Sequence, residues 1–288
     1  MPPQSNKPSS APGGEAANAA KPGKPAEAAK PAKAGRFALG RRLRLRIGAE
    51  GARVDLLAGW RKPRLLASHQ IEYRPGVATL SEAVAMLEPL LTALAGAAGS
   101  IRGLACDVLI GDAWMLYDVV RADLRNLSPR AADDVVRSAL ADVAGVPPSD
   151  VVSRWQTQAG GHSTVACGMP AAVLPSLQAL LKAHRLHAGE IVGEFIHEYN
   201  ANRNRLRAAS TVISLVRETG TQLAVAAGGA LTALSFELGV RAPEDLEVRG
   251  RSLLRGAGLA LDGETRYFAL LPAGWTPPSP WVAVATTL

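Results

Sequence analysis

The sequence predicts a mixed α/β protein whose two halves follow one plan, and three observations carry that prediction. Residues 42–73 read as a three-strand meander. Residues 211–237 read as a second meander, with no sequence identity to the first. After each, apolar strand-like runs alternate with stretches of helical periodicity, the pattern of helices laid on mixed sheets. The repeat is one of layout rather than of residues.

Taken in order, RLRLRI (Arg42–Ile47) alternates charged and apolar residues and reads as a half-buried strand. Arg53–Ala58 is its partner across a GAEG turn, and Arg64–Tyr73 is the third strand, beyond the turn signal at Lys62-Pro63. Leu80, Ala83, Val84, Leu87, Leu90, Leu91 and Leu94 then recur at helical spacing. Ser81 or Thr79 caps this helix, Pro89 kinks or breaks it, and Gly96 and Gly99 stop it. Leu104–Ile110 is almost continuously apolar, as a strand inside a sheet is, and Trp114–Val120 reads as another strand. Ser128-Pro129 sets a cap before a proline at the first helical position, opening a helix whose apolar face runs from Ala131 to Val143 and ends at Gly145.

Next come strand Val151–Thr157, turn Ala159–His162, strand Thr164–Gly168, a helix over Ala171–Leu186 with Gly189 at its end, strand Glu190–Phe195 and a short helix, Ile196–Leu206. The second meander is Thr211–Val216, an RETG turn, Thr221–Ala226, a Gly-Gly hairpin turn and Ala230–Glu237. A helix over Leu246–Leu259 and strands Tyr267–Leu271 and Trp281–Thr286, around a Pro-rich loop, complete the pattern.

With 288 residues, 48% of them hydrophobic, the chain is long enough for a sizeable core. Its net charge of +7 is concentrated in the first 36 residues, where Lys7, Lys21, Lys24, Lys30, Lys33 and Arg36 face only Glu15 and Glu27. That leader, rich in Ala, Pro, Lys, Gly and Ser, has no apolar face to bury and reads as disordered. The expected divisions are the leader over 1–36, a first half over 37–206 carrying a small inserted subdomain, and a second half over 207–288. Cys106 and Cys167 sit in apolar runs and form no CxxC pair, which excludes a disulfide framework and points to a reducing compartment. No apolar signal segment follows the N-terminal lysines. The best membrane candidate, Leu223–Phe236, is too short to span a bilayer and is interrupted by Gly228 and Gly229. The expected location is the cytoplasm.

Three stretches give the chain a family resemblance: RIGAEGARVDLL at the start, the central strand with LIGDAWMLYDVV, and the block from Cys167-Gly168-Met169-Pro170 through HRLHAGEIVGEFIHEYNANRNRL. From about Phe37 onward the sequence resembles the actin-like ATPase fold, with two RNase H-like halves. Within that fold it resembles the PilM-like proteins of type IV pilus assembly and the GspL cytoplasmic domains of type II secretion. In that fold each phosphate loop has an Asp, an apolar residue, a Gly and small or hydroxyl residues. The Asp holds magnesium through water, while loop amides and hydroxyls hold phosphate.

Here the first loop puts Arg46 at the Asp position and keeps Ile47 and Gly48, but Ala49, Glu50 and Gly51 supply no hydroxyl. The second puts Ser214 at the Asp position and Val216 at the Gly position, with Thr219, Gly220 and Thr221 as remnants. The glycine-rich adenosine motif is absent from TPPSPWVAVATTL. Without two acidic groups to hold the cation and place water, hydrolysis is not expected. No cofactor is expected; Arg46 leaves open direct phosphate binding without magnesium. LRIGAEGARVDLL then reads best as a plain hairpin.

The resemblance therefore implies a non-catalytic cytoplasmic scaffold of a pilus or secretion platform, held at the inner membrane by the cytoplasmic tail of a membrane partner. The open alternatives are a nucleotide-binding switch or weak ATPase of the same fold, and a nucleic-acid-associated protein using the basic arm. Residues 1–36 are a candidate contact for a membrane surface or nucleic acid, and self-association is left open. Other residues read structurally. His184 and His187 suit a helix end, GGHST lacks a nucleophile elbow, Trp114, Tyr117 and Trp155 fill core, and Asn202–Arg207 is a solvated basic face.

Overall fold

In the computed structural model the first meander is β1 (Arg41–Ile47), β2 (Gly51–Ala58) and β3 (Arg64–Glu72), all antiparallel. The structure describes residues 40–59, 63–158, 161–217, 219–239, 243–260, 265–271, 276–277 and 279–287. The leader and the tip of the turn at 159–160 lie outside them.

The predicted helix is two: α1 (Leu80–Ala85) and α2 (Glu88–Ala98). Thr79 caps α1 in a reciprocal box with Glu82, and Pro89 sits in the first turn of α2, where its missing N–H costs nothing. Leu80–Ala98 is long and apolar enough to cross a membrane by length and composition. In the fold it is this broken pair, with Leu80, Leu87, Leu90, Leu91 and Leu94 in the core. The stretch Leu223–Phe236, weighed above as a membrane candidate, forms a hairpin of strands.

β4 (Ala105–Ile110) runs parallel to β1, and β8 (His187–Gly193) parallel to β4, giving a sheet of order β3-β2-β1-β4-β8. Between them the chain forms a third sheet. There β5 (Leu116–Val120), β6 (Val151–Thr157) and β7 (Thr164–Pro170) make a sheet of order β5-β7-β6, covered by α3 (Pro129–Ala144) through Val136 and Leu140. α3 has the expected Ser128 cap and a left-handed Gly145 at its end. Residues 112–114, the last of them expected in a strand, form a 3-10 turn before β5.

α4 (Val173–Ala183) is shorter than predicted, and β8 begins at His187 rather than Glu190. Gly189 is a strand residue in close approach, since a Cβ there would meet the Asp107 carboxylate and the Cys106 carbonyl. α5 (Glu194–Asn202) follows β8 directly.

The second half repeats the plan. β9 (Ser210–Val216), β10 (Gly220–Ala227) and β11 (Ala230–Leu238) form the meander, turning at Gly228 and Gly229, both with positive φ. After α6 (Pro243–Gly256), β12 (Arg266–Leu271) lies parallel to β9 and β13 (Trp281–Ala285) parallel to β12, in the order β11-β10-β9-β12-β13. The two sheets thus share one layout. Phe195 and Tyr199 of α5 pack on the second sheet through Ile213, Leu215, Phe268 and Leu270. At the small sheet, the Gln158 side chain donates to the Leu231 carbonyl at 2.6 Å and accepts from the Leu231 N–H at 2.7 Å.

Candidate functional site

β1 explains the site. Its period of two sends Leu43, Leu45 and Ile47 into the core beneath α1, α2 and α4, and Arg42, Arg44 and Arg46 to the other face. That face, expected to be solvated, is covered by α5, and Arg44 is only 4% exposed. Opposite it α5 carries Glu194, Glu198 and Asn202, four residues apart and all buried. The two rows meet at Arg46; farther along, Arg42 pairs with Asp107 and Asn202 donates to the Glu198 carbonyl.

Arg46 lies 3.8 Å from Glu194 and 3.9 Å from Glu198. Arg44 and Arg46 each donate to the Thr287 carbonyl at 3.1 Å, and Glu198 accepts from the Thr287 N–H and hydroxyl at 2.8 and 3.0 Å. From the second half, Arg217 makes a two-pronged contact with Glu194 at 3.1 and 3.0 Å.

Of this network, Arg46, Glu194 and Arg217 line a cleft of about 1070 Å³ between the two meanders. Arg46, Gly48, Glu50 and Gly51 line it from the first turn, and Thr219 and Gly220 from the second. Ser214 and Thr221 are fully buried in the second sheet and do not line it. The registers explain why. Ile47 pairs with Ala52 as Val216 pairs with Thr221, and Gly48 N–H bonds Gly51 O as Arg217 N–H bonds Gly220 O, both at 2.9 Å. The counterpart of Arg46 is therefore Leu215, which lines the cleft, and Ser214 matches Leu45. The match of the two turns by sequence is out by one residue, and one residue flips a strand side chain to the other face.

Part of the first turn's backbone is bonded internally. Gly48 N–H goes to Gly51, the Gly48 carbonyl accepts the Trp114 indole at 2.9 Å, and Gly111 N–H binds the Ile47 carbonyl at 2.8 Å.

The sequence reading placed no magnesium-holding carboxylate in the cleft, and here the structure adds Glu72 at the end of β3 and two acids deeper in. Asp112 and Glu194 both line it, each directly after a glycine at the carboxyl end of a parallel strand. Gly-acid at such a strand end is the signal that marks them, because ligand clefts of open α/β sheets form there. Asp112 Oδ1 accepts from the Tyr117 hydroxyl at 2.5 Å and the Phe195 N–H at 3.0 Å, while Oδ2 is buried with no hydrogen-bond partner among the described residues. Burial, with Glu194 alongside, pushes the Asp112 carboxyl up to about 7. Burial works against ionised Glu194 too, but Arg217 and Arg46 outweigh it and hold that carboxyl below its usual range. Burial raises Glu198 against its bonds to Thr287. His197, on the same helix, is pushed down to about 4 by burial and by Arg44 and Arg46.

Chemically, then, one carboxylate is neutralised by a guanidinium fork, a second is tied to backbone, and a third holds its proton to near neutrality. Among the described residues no group of three or more His, Cys, Asp or Glu is placed to hold a metal ion. His184 shares a hydrogen bond with Glu88 at 2.9 Å, while His187 opens β8.

No protein-family model matches the chain, and no curated protein matches it. Among solved structures it is similar to a Bacteroides thetaiotaomicron protein of actin-like ATPase fold and unknown function, at 10% identity over 81% of this chain and 83% of that one, TM-score 0.54. It is similar to the PilM-PilN type IV pilus biogenesis complex at 14% identity, 80% of each chain and TM-score 0.55. It is also similar to the cytoplasmic domain of EpsL, an inner membrane component of the Vibrio cholerae type II secretion system, at 12% identity, 86% and 91% coverage and TM-score 0.54. At these identities the likeness is one of fold: the chain has the actin-like ATPase fold.

Proposed function

We propose that this chain is a non-catalytic scaffold at the inner-membrane platform of a pilus or secretion machine, with a short cytoplasmic tail of a membrane protein as its ligand. One observation carries the reading: the floor of the cleft is filled by the chain's own ion pairs. Arg217 and Arg46 satisfy Glu194, and Thr287 satisfies Glu198. At Glu194 a divalent cation would have to displace a guanidinium fork, and buried pairs of this kind are costly to break; at Asp112 it would have to displace a proton held to about pH 7. The resemblance in fold to PilM in complex with PilN, and to the EpsL cytoplasmic domain, supports the setting.

A seat for the tail is offered by a groove of about 620 Å³ between β6 and β8. Each is the edge strand of its sheet. Trp155, Ile191 and Tyr199 line the groove, so an extended peptide finds unpaired backbone at its rim and apolar contacts within.

Thermal unfolding with ATP, with and without magnesium, tests the reading. The expected result is no shift. Stabilisation of about 2.7 kcal/mol at a hundredfold excess over the dissociation constant, dependent on magnesium, would make the protein a nucleotide switch instead. Cross-linking from Gln156 on β6, in detergent-solubilised membranes, is expected to trap a single-span protein through its cytoplasmic segment.

A further inference from the structure

The end of the first sheet opposite the cleft carries a surface unrelated to the ion pairs above. There β1, β4 and β8 begin, β2 ends and β3 begins, so Arg42, Ala105 and His187 stand in one row across the sheet, with Arg41, Ala58 and Arg64 in the adjoining row. At about 4.8 Å per strand this edge is about 19 Å wide. Six cations gather at it: Arg41, Arg42, Arg64, Arg102, Lys182 and Arg185. Arg64, Arg102 and Lys182 are exposed. The Gly103 N–H bonds the Arg185 carbonyl at 2.8 Å and the His187 N–H bonds the Leu104 carbonyl at 2.9 Å, which fixes the Arg102 and Arg185 loops side by side. Arg102, Lys182, Arg185 and His187 border a shallow, open depression.

Residues 96–106 and 178–189 contain no Asp or Glu. Among the described residues, the acidic partners in ion pairs at this pole are Asp107, 3.7 Å from Arg42, and Glu88, bonded to His184. Arg185 closes α4 with φ +55°, a left-handed position where glycine is usual and where an arginine is strained.

Beside these cations lie two exposed leucines, Leu65 at 42% and Leu66 at 43%. The β2–β3 register skips Leu66: Leu57 pairs with Leu65 and Leu56 with Ala67. This bulge leaves consecutive leucines exposed at the start of an edge strand.

We infer that this pole docks the protein directly on an anionic lipid bilayer, the arginines and Lys182 meeting headgroup phosphates and Leu65 and Leu66 entering the interface. Guanidinium groups match phosphate geometry, and a basic patch with apolar side chains beside it is complementary to such a surface. A nucleic-acid backbone would take the cations but has no place for the leucines. The inference stands whether or not the cleft is catalytic, and it turns the cleft away from the membrane.

Flotation of the full chain with vesicles of phosphatidylcholine, with and without about one third phosphatidylglycerol, tests it. Binding is expected only to the anionic vesicles, falling with added salt. Each cation near the surface contributes about fivefold, so Arg102→Gln/Arg185→Gln should weaken binding about thirtyfold. Leu65→Ser/Leu66→Ser should weaken it while leaving the salt dependence intact. Both pairs lie at the surface, so circular dichroism and the unfolding midpoint should not change. Because the leader is also basic, both pairs are repeated in a full chain with Lys21, Lys24, Lys30 and Lys33 changed to Gln, where the same losses are expected. Equal binding to neutral vesicles would overturn the inference. So would binding abolished by the leader changes and untouched by the pole changes, or DNA binding that needs Arg102 and Arg185 with no lipid binding.

Discussion

Replacing Asp112 with asparagine should make the protein more stable at high pH relative to wild type. The buried Asp112 carboxyl keeps its proton up to about pH 7 in the folded state, against an ordinary value of 3.8 in the unfolded chain. Between those limits the folded state binds the extra proton, so this group's stabilising contribution is complete below about pH 4 and is lost as the pH rises through about 7. At about 1.4 kcal/mol per decade of proton affinity, the whole window is worth about 4 kcal/mol, and the part between pH 5 and pH 8.5 about 3 kcal/mol.

Asparagine keeps the acceptor for Tyr117 and Phe195 and cannot ionise. Its amide then lies where the unpartnered Oδ2 is, a cost of about 1–3 kcal/mol at every pH. Urea unfolding of both proteins at pH 5 and pH 8.5 gives the comparison. Taking the difference between them removes the opposing effect of His197, whose depressed value raises stability from pH 4 to 6.5. The stability gap should move in favour of the Asp112→Asn variant by about 3 kcal/mol between the two pH values. A gap that stays constant would show that Asp112 is ionised throughout and that the arrangement of protons at the cleft floor is wrong.

Two further substitutions test the geometry. Glu198→Ala removes the acceptor for both Thr287 donors and leaves Arg46 short of a buried counter-charge. It should cost about 3–5 kcal/mol in urea unfolding, and Glu198→Gln, which keeps the acceptor oxygen, clearly less. Gly51→Ala drives a Cβ onto the backbone carbonyl of Ile71 in the neighbouring strand and should cost about 1–3 kcal/mol, while Gly96→Ala, in a helix with open space around it, should stabilise by about 0.5–1 kcal/mol.

Much of the fold was legible because local rules and tertiary packing agree. Alternation in Arg42–Ile47, the Gly228-Gly229 turn, the Ser128-Pro129 start and the interruption at Pro89 each act through a few neighbouring residues. Errors arise where one residue type has two uses. Gly189 reads as a helix stop but lies in β8, where it is glycine because Asp107 leaves no room for a Cβ.

The site is harder to read. Its residues come from β1, the end of β4, the start of α5, the β9–β10 turn and Thr287, and nothing local joins them. The period-four row Glu194, Glu198, Asn202 stands in plain view, as does a strand with arginine at every second position. What the sequence lacks is the topology that sets one against the other. The alternating arginines read as a wet face because charge is usually exposed, and α5 overrides that expectation.

The bonds from Arg44 and Arg46 to Thr287 span 243 and 241 residues of chain. Until that strand-following segment has found its place, β1 presents guanidinium groups to a surface with no backbone acceptor from the far half. Closing so large a loop is slow, and its reward comes late. The two halves should therefore acquire their final order together, as one kinetic event, and a fragment ending after α5 would hold its arginines in an unfinished state.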